Sequence, residues 1–265
     1  MKRYKTLIRS GIIVCLRFRM GVLVTFLGNL IYLIIVYSLW KSIYASSGTS
    51  VMNGMTFQDT MIYLVLASSM YMLLESHLTW RMHEDIQSGK IVLDIIKPMG
   101  YQTFKYAGIL GEVLFNFLTT FVPTFLIVYF ISGCKIHIGF NVILFLLSMF
   151  IGIIISLSVD FFIGTIGLYT QSIWGINIMK EVVIMLFSGA VVPINFFPEP
   201  LKTITMRLPF QAIYNTPLQL LINDKMSAME RFGILGNQIM WLVLLLVISN
   251  VYWQRSLKTI TVNGG

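Results

Sequence analysis

The chain has 265 residues, of which 57% are hydrophobic and 11% are charged. A soluble domain has about 25% charged residues, so this composition excludes an ordinary water-soluble domain and indicates that lipid covers much of the surface. The formal net charge of +8 is explained by basic residues that face anionic lipid headgroups, and we expect no nucleic-acid partner. The two cysteines, Cys15 and Cys134, lie far apart and imply no disulfide framework.

The first predicted element is an amphipathic helix over residues 1–20 that lies in the membrane interface. Apolar residues recur at helical spacing on one face, and basic residues fall on the opposite face. The apolar positions are Tyr4, Leu7, Gly11, Val14 and Phe18, and the basic positions are Lys2, Lys5 and Arg9. An unstructured basic tail is the alternative. A cleaved signal peptide is not expected, because the first apolar run is too long for its core.

Six stretches of the chain reach the roughly 20 apolar residues that a helix needs to cross a ~30 Å hydrocarbon core. They lie at about residues 21–44, 57–79, 106–132, 141–170, 178–196 and 232–254. Together with their connectors they use up the chain, which predicts an all-α integral membrane protein with a single domain over residues 1–265. An N-terminus inside the cell places most Lys and Arg residues on the cytosolic side, so both termini are expected in the cytosol.

The connector between spans two and three, residues 81–105, is a cytosolic segment of mixed character. Its apolar stretch at residues 91–96 follows Gly89 and is closed by Pro98. The stretch is too short to span a membrane and too apolar for a solvated linker. The sequence therefore predicts a short helix that lies against another surface.

The connector between spans five and six, residues 189–231, is long and contains several prolines. Pro193, Pro198 and Pro200 are expected to end span five, because proline removes a backbone donor and breaks a helix. Two short apolar pieces follow at residues 201–208 and 217–222. We interpret them as a re-entrant pair of short helices in the outer leaflet, since broken backbone at membrane depth requires surrounding protein or water. An extracellular amphipathic loop is the alternative.

The sequence lacks the residue constellations of a membrane enzyme. His77, His83 and His137 do not have metal-ligand spacing, and Gly89-Lys90 lacks the other residues of a P-loop. We therefore expect no metal site and no cofactor in this chain. Four acidic residues fall near the inner ends of spans, close to basic residues, and we interpret them as interfacial salt bridges rather than as a proton pathway. They are Glu75, Glu112, Asp160 and Glu181.

The order of these elements resembles the permeases of type 2 ATP-binding-cassette (ABC-2) exporters, over essentially the whole chain. Two strings carry the resemblance: residues 86–98, IQSGKIVLDIIKP, and residues 188–198, SGAVVPINFFP, which continue to Leu208-Pro-Phe210 and Tyr214-Asn-Thr-Pro217. The first is similar to the family's coupling helix, and the second to its proline-broken outer signature. One departure is Ile96-Lys97, which stands where the family usually has leucine and arginine before the proline.

The resemblance implies two permeases side by side, each docked on a separate cytosolic ATPase that would bind ATP and Mg²⁺. The implied coupling residues are Ser88, Gly89, Lys90, Ile91, Val92, Asp94, Ile95, Ile96, Lys97 and Pro98. The implied exit gate is formed by Gly189, Pro193, Phe196, Phe197, Pro198, Leu208, Pro209 and Phe210. The cargo would be lipidic or amphipathic: an antibiotic, a peptide, a lipid or a lipid-linked glycan.

The subgroup that the chain most resembles is bacterial, which implies a multi-pass protein of the bacterial plasma membrane. The second permease would be an identical or a paralogous copy. Two functions from other classes are the alternatives. One is a membrane-embedded assembly or immunity protein with no transport cycle, and the other is a membrane enzyme that acts on lipid. A P-loop ATPase encoded beside this chain would favour transport.

Overall fold

The fold is all-α apart from one short β-ribbon, in a computed structural model that describes residues 2–17, 19–133, 136, 139–223 and 226–259. Phe18, Cys134 and His137, which the sequence analysis considered, lie outside these residues. The helices are α1 Lys2–Arg17, α2 Arg19–Ser47, α3 Phe57–Leu74, α4 Leu78–Gln87, α5 Ile91–Ile95, α6 Tyr101–Asn116, α7 Val122–Ile131, α8 Phe140–Ile166, α9 Trp174–Phe187, α10 Glu199–Arg207, α11 Asn215–Ile222 and α12 Ala228–Ser256. Two strands, β1 Val51–Met52 and β2 Met55–Thr56, pair antiparallel between α2 and α3.

Five helical segments of the described chain are long and apolar enough to cross a membrane. They are Phe26–Ser47, Phe57–Gln87, Tyr101–Ile131, Phe140–Ile166 and Ala228–Ser256. Each overlaps one of the predicted spans. The second contains a break at residues 75–77, between α3 and α4, and extends beyond the predicted residue 79 to Gln87.

The predicted fifth span, residues 178–196, differs from the structure. Helix α9 has 14 residues and is therefore about 21 Å long at 1.5 Å per residue, which is less than the hydrocarbon thickness. The helix ends before the prolines, because Gly189 adopts a φ of 80°. This left-handed conformation is the usual way to terminate a helix, and glycine adopts it without steric cost.

The bundle has two ends, which we define by their contacts. At the terminal end, the Gln87 side chain donates to the Gln171 carbonyl at 3.0 Å and the Tyr169 hydroxyl donates to Ser256 at 2.9 Å. At the opposite hairpin end, which holds β1 and β2, the Gln58 amide donates to the Ser132 carbonyl at 3.2 Å. The chain reaches the hairpin end again before α8 and before α12.

Helix α1 crosses α6 where glycines on both helices let the two backbones approach closely. A Cβ atom on Gly11 would lie 2.7 Å from the Gly108 carbonyl oxygen, and one on Gly111 would lie 2.1 Å from the Ile8 carbonyl oxygen. The buried face of α1 is therefore centred on Gly11, while Tyr4 and Val14 are 37% and 44% exposed. The predicted apolar face is only partly the contact face, because close backbone approach selects glycine over larger apolar side chains.

The segment after α10 is buried against the middle of α8. A Cβ on Gly152 would lie 2.9 Å from the Ile213 carbonyl oxygen, so this position allows the two backbones to touch. The Gln238 amide of α12 donates to the carbonyls of Ala212 at 2.7 Å and Ser148 at 2.9 Å. These bonds satisfy backbone groups that would otherwise be costly in an apolar interior.

A π-helical turn, Phe117–Phe121, joins α6 to α7 within one continuous helix. Pro123 follows directly in the first turn of α7, where its missing N–H would interrupt regular α-helical bonding. The wider turn carries the helix past the proline without a break.

Candidate functional site

Helix α4, which precedes the α5 segment, packs on α8. A Cβ on Gly164 would lie 2.7 Å from the Met82 sulfur, and a Cβ on Gly167 would lie 3.2 Å from the His83 ring. Both glycines therefore let α4 lie close on α8. Gly89 then reverses the chain with a φ of 71°, a conformation that Ser88 or Lys90 could adopt only with strain. The tight turn places α5 at the terminal end of the bundle.

Helix α5 has one buried and one exposed side. Ile91 is 3% exposed and Asp94 is 4% exposed, so both lie inside the chain's own fold. Leu93 and Ile96 are 61% and 73% exposed, and they are three residues apart, which places them on one helical face. Val92 and Ile95 are half-buried, while Ser88, Lys90, Lys97 and Pro98 are exposed.

This arrangement changes which residues of α5 are free to bind a partner. The sequence analysis placed Ile91 in the partner contact, but its side chain packs in the hydrophobic core of the chain itself. Leu93 was left out, although its three-residue spacing from Ile96 is a signal that the sequence contains. The exposed apolar face of α5 is the pair Leu93 and Ile96.

An ion cluster fixes the buried side of α5. The Lys105 ammonium of α6 lies 2.5 Å from Asp85 of α4 and 2.7 Å from Asp94 of α5. Lys97 lies 2.5 Å from Asp94, and Lys90 lies 3.6 Å from Asp85. Burial opposes ionisation of Asp94, but the hydrogen bonds from Lys105 and Lys97 more than offset it and hold the pKa of this carboxyl below its usual value. Three helices thus meet at one ammonium group.

Two of the four acids that the sequence analysis considered, Glu112 and Asp160, are paired with basic side chains. Arg81 donates two hydrogen bonds to Glu112, at 2.6 and 2.9 Å, in a bidentate pair. The Lys180 ammonium lies 2.6 Å from Asp160, and Ser76 also donates to Asp160.

Glu75 and Glu181 differ from the other two acids. Neither has a Lys or Arg partner within 4 Å among the side chains that the structure describes. Glu181 accepts a hydrogen bond from the Asn177 amide at 2.6 Å. No basic side chain of the described residues therefore compensates either carboxylate.

The connector after α9 folds back over the hairpin end and into the bundle. The ring of Phe196 packs edge-on against Trp40 of α2, with ring centroids 4.7 Å apart. Pro193 and Pro209 are buried, Phe197, Leu208 and Phe210 are half-buried, and Pro198 precedes α10 on the surface. Residues 211–218 continue as a buried run.

Two cavities lie between α2, α3, α8 and α9. The larger, about 350 Å³, is lined by apolar side chains together with Asn29, Tyr32, Tyr71 and Glu75. The smaller, about 80 Å³, shares Tyr71 and Glu75 with it and continues to Asp160, Lys180 and Glu181. Within the described residues, three or more His, Cys, Asp or Glu side chains are nowhere grouped so that they could hold a metal ion.

Comparison with known proteins gives one result. The family described as "ABC-2 family transporter protein" matches residues 30–264, most of the chain, and no curated protein matches. Permeases of this family lack an ATPase domain and work with an ATPase partner. The matched region begins in α2 and includes the α5 segment, the connector after α9 and the long apolar helices described above. The chain therefore belongs to the ABC-2 family of membrane transporter proteins.

Proposed function

We propose that the chain is the permease subunit of an ATP-driven exporter that moves a lipidic or amphipathic cargo out of a bacterial cytoplasm by alternating access. A separate ATPase dimer would supply the energy, and a second permease, identical or paralogous, would complete the pathway. The terminal end of the bundle would face the cytosol with both chain termini, and α1 would lie in the inner interface. Family membership supports this, and so does the exposed apolar face of α5.

That exposed face is the observation that carries the proposal. Leu93 and Ile96 project from a helix whose other side is fixed by Ile91 and Asp94 in the core. Burying such a side chain on a partner contributes about 1.5–3 kcal/mol. Because the Lys105 ion cluster holds α5 against α4 and α6, a partner that moves α5 would also move those helices.

Replacing Leu93 and Ile96 together with aspartate should abolish co-purification of the ATPase, while the permease still inserts into the membrane. The loss of two buried apolar groups and the burial of two charges predict a fall in affinity of at least about a hundredfold. Ile91→Ala is the matched control from the buried side of the same helix. It should lower permease stability by about 2–5 kcal/mol and leave the affinity of the folded protein for ATPase unchanged.

Full ATPase binding by the double aspartate variant would refute the docking proposal. An unmodified chain that captures no ATPase from its own cell would instead support an assembly or immunity protein without a transport cycle.

We also propose that the connector after α9 is the outer gate. Phe196 packs against Trp40, which is 6% exposed, and this contact holds the connector on α2 at the hairpin end. Outward release of cargo would require this contact to open, as lids open elsewhere.

Phe196→Ala should weaken that closure by about 1 kcal/mol, the usual value of an aromatic pair beyond its buried area, and so shift the closed-to-open ratio about fivefold. We expect basal ATP hydrolysis in reconstituted membranes to rise while cargo stimulation falls. Phe197→Ala, at the neighbouring half-buried position, is the control and should change both less. Unchanged stimulation and export in the Phe196 variant would make the connector a structural cap.

A further inference from the structure

The larger cavity has the chemistry of an amphipathic ligand site. Its volume of about 350 Å³ lies in the range of small-molecule sites, which are mostly apolar with a few convergent polar groups. Tyr32 of α2, Met185 of α9 and Val191 after α9 supply apolar surface, and Glu75 stands where α3 ends. Apolar and charged surfaces thus occur in one site.

The charges beside this cavity are not balanced. In the adjoining smaller cavity, three carboxylates (Glu75, Asp160 and Glu181) and one ammonium (Lys180) give a net charge of −2. Lys180 is committed to Asp160 at 2.6 Å, and their side chains are 9% and 4% exposed. The remaining negative charge therefore belongs to Glu75 and Glu181, and Glu75 is the carboxylate that reaches both cavities.

Beside Glu181, but outside the lining of both cavities, a buried amide oxygen has no donor among the described residues. Asn177 is 1% exposed, and its amide nitrogen donates to Glu181. The other atom of that amide, Oδ1, is buried and accepts no hydrogen bond from any described residue. A buried acceptor without a donor is costly, and it lies beside a carboxylate that also lacks a cation.

We propose that the cargo of this permease is a cationic amphiphile whose positive charge is held at Glu75 and whose apolar part occupies the larger cavity. This rests on the proposed transport function and specifies its substrate class. An anionic cargo would meet the net charge of −2 without a free ammonium to offset it, because Lys180 is already paired. A neutral cargo would leave Glu75 uncompensated when the cavity loses its water, where an unpaired charge is most unfavourable.

The test is equilibrium binding to the full chain in lipid nanodiscs, with tetraphenylphosphonium and tetraphenylborate, which have nearly the same size and opposite charge. We expect saturable binding of the phosphonium and none of the borate above empty nanodiscs. Glu75→Gln should weaken phosphonium binding at least tenfold, and Glu75→Asp should retain most of it. Glu199→Gln is the control and should bind as the unmodified chain does, because it removes a carboxylate that is 82% exposed in its side chain and lines neither cavity.

Equal binding of the two ions, or unchanged phosphonium binding in Glu75→Gln, would overturn the inference. Binding requires no ATPase, so it can be measured even if the transport proposal fails. Conversely, a permease that captures its ATPase but does not distinguish the two ions would retain the proposed function and lose only the cationic substrate class.

Discussion

Replacing Lys105 with methionine is expected to lower the stability of the permease by about 3 kcal/mol, the lower end of the range for breaking a buried ion pair. The Lys105 side chain is 11% exposed, and its partners Asp85 and Asp94 are 12% and 5% exposed. Methionine fills similar volume but leaves both carboxylates without their shared ammonium. Lys97 and Lys90 still reach one carboxylate each, which limits the loss.

Thermal unfolding in nanodiscs measures this effect, and Lys97→Met is the control. Lys97 also pairs with Asp94, but its side chain is 41% exposed, so solvent screening should make its loss much smaller. An equal loss in both variants would mean that Lys105 is not the centre of the cluster.

The Lys105→Met variant also has a predicted pH dependence. Because the folded pKa of Asp94 is depressed, its contribution to stability is complete above its unfolded pKa of about 4 and is lost as pH falls through the lower, folded value. Acidification below about pH 4 should therefore destabilise the unmodified chain more than Lys105→Met. Parallel acid profiles would argue against the assigned ion pairs.

Gly111→Ala is expected to force α1 away from α6. The added Cβ would lie 2.1 Å from the Ile8 carbonyl oxygen. This oxygen belongs to the backbone, so it cannot rotate aside as a side chain could. Overpacking of this kind costs about 1–3 kcal/mol, which exceeds the gain of about 1 kcal/mol from replacing a helical glycine by alanine.

Alkylation of Cys15, with Cys134 replaced by serine, reports the displacement. Cys15 lies half-buried near Glu112; burial raises the pKa of its thiol and the Glu112 charge raises it further. The nearby Arg81 charge lowers the pKa by less, so displacing α1 should raise both the thiolate fraction at neutral pH and the labelling rate. Gly108→Ala is the matched control on α6, because its Cβ would meet nothing within 4 Å. Equal labelling in the two variants would contradict the crossing.

The sequence predicted the long apolar helices well, because lipid requires about 20 apolar residues in a row and that requirement is local. It did not predict the length of α9. The apolar run continues to residue 192, and only the left-handed conformation of Gly189 ends the helix early. A Cβ on Gly189 would also meet the Tyr63 hydroxyl at 2.7 Å, so a tertiary contact as well as the backbone conformation excludes a larger residue there.

The choice of which face of α5 is buried and the pairing of the acids also depend on tertiary contacts. Asp94 faces the interior because it pairs with Lys105 of α6, and Leu93 therefore faces outward. Likewise, proximity along the chain does not show that Lys180 pairs with Asp160 and leaves the adjacent Glu181 without a cation. Periodicity shows which residues share a helical face, but contacts between elements decide which face is buried and which ion pairs form.

The π-helical turn at Phe117–Phe121 keeps a row of aromatic rings on one side of its span. Phe117, Phe121, Phe125 and Tyr129 stack in succession, with ring centroids 5.6, 6.3 and 6.4 Å apart. In a regular α-helix, positions four residues apart drift by about 40° per step, and three steps would turn the row by about 120°. The π-helical turn has more residues per turn than an α-helix, so it reduces the rotation between Phe117 and Phe121. All four rings therefore stay on the bundle side, where a uniform helix would have rotated one end of the row toward the lipid.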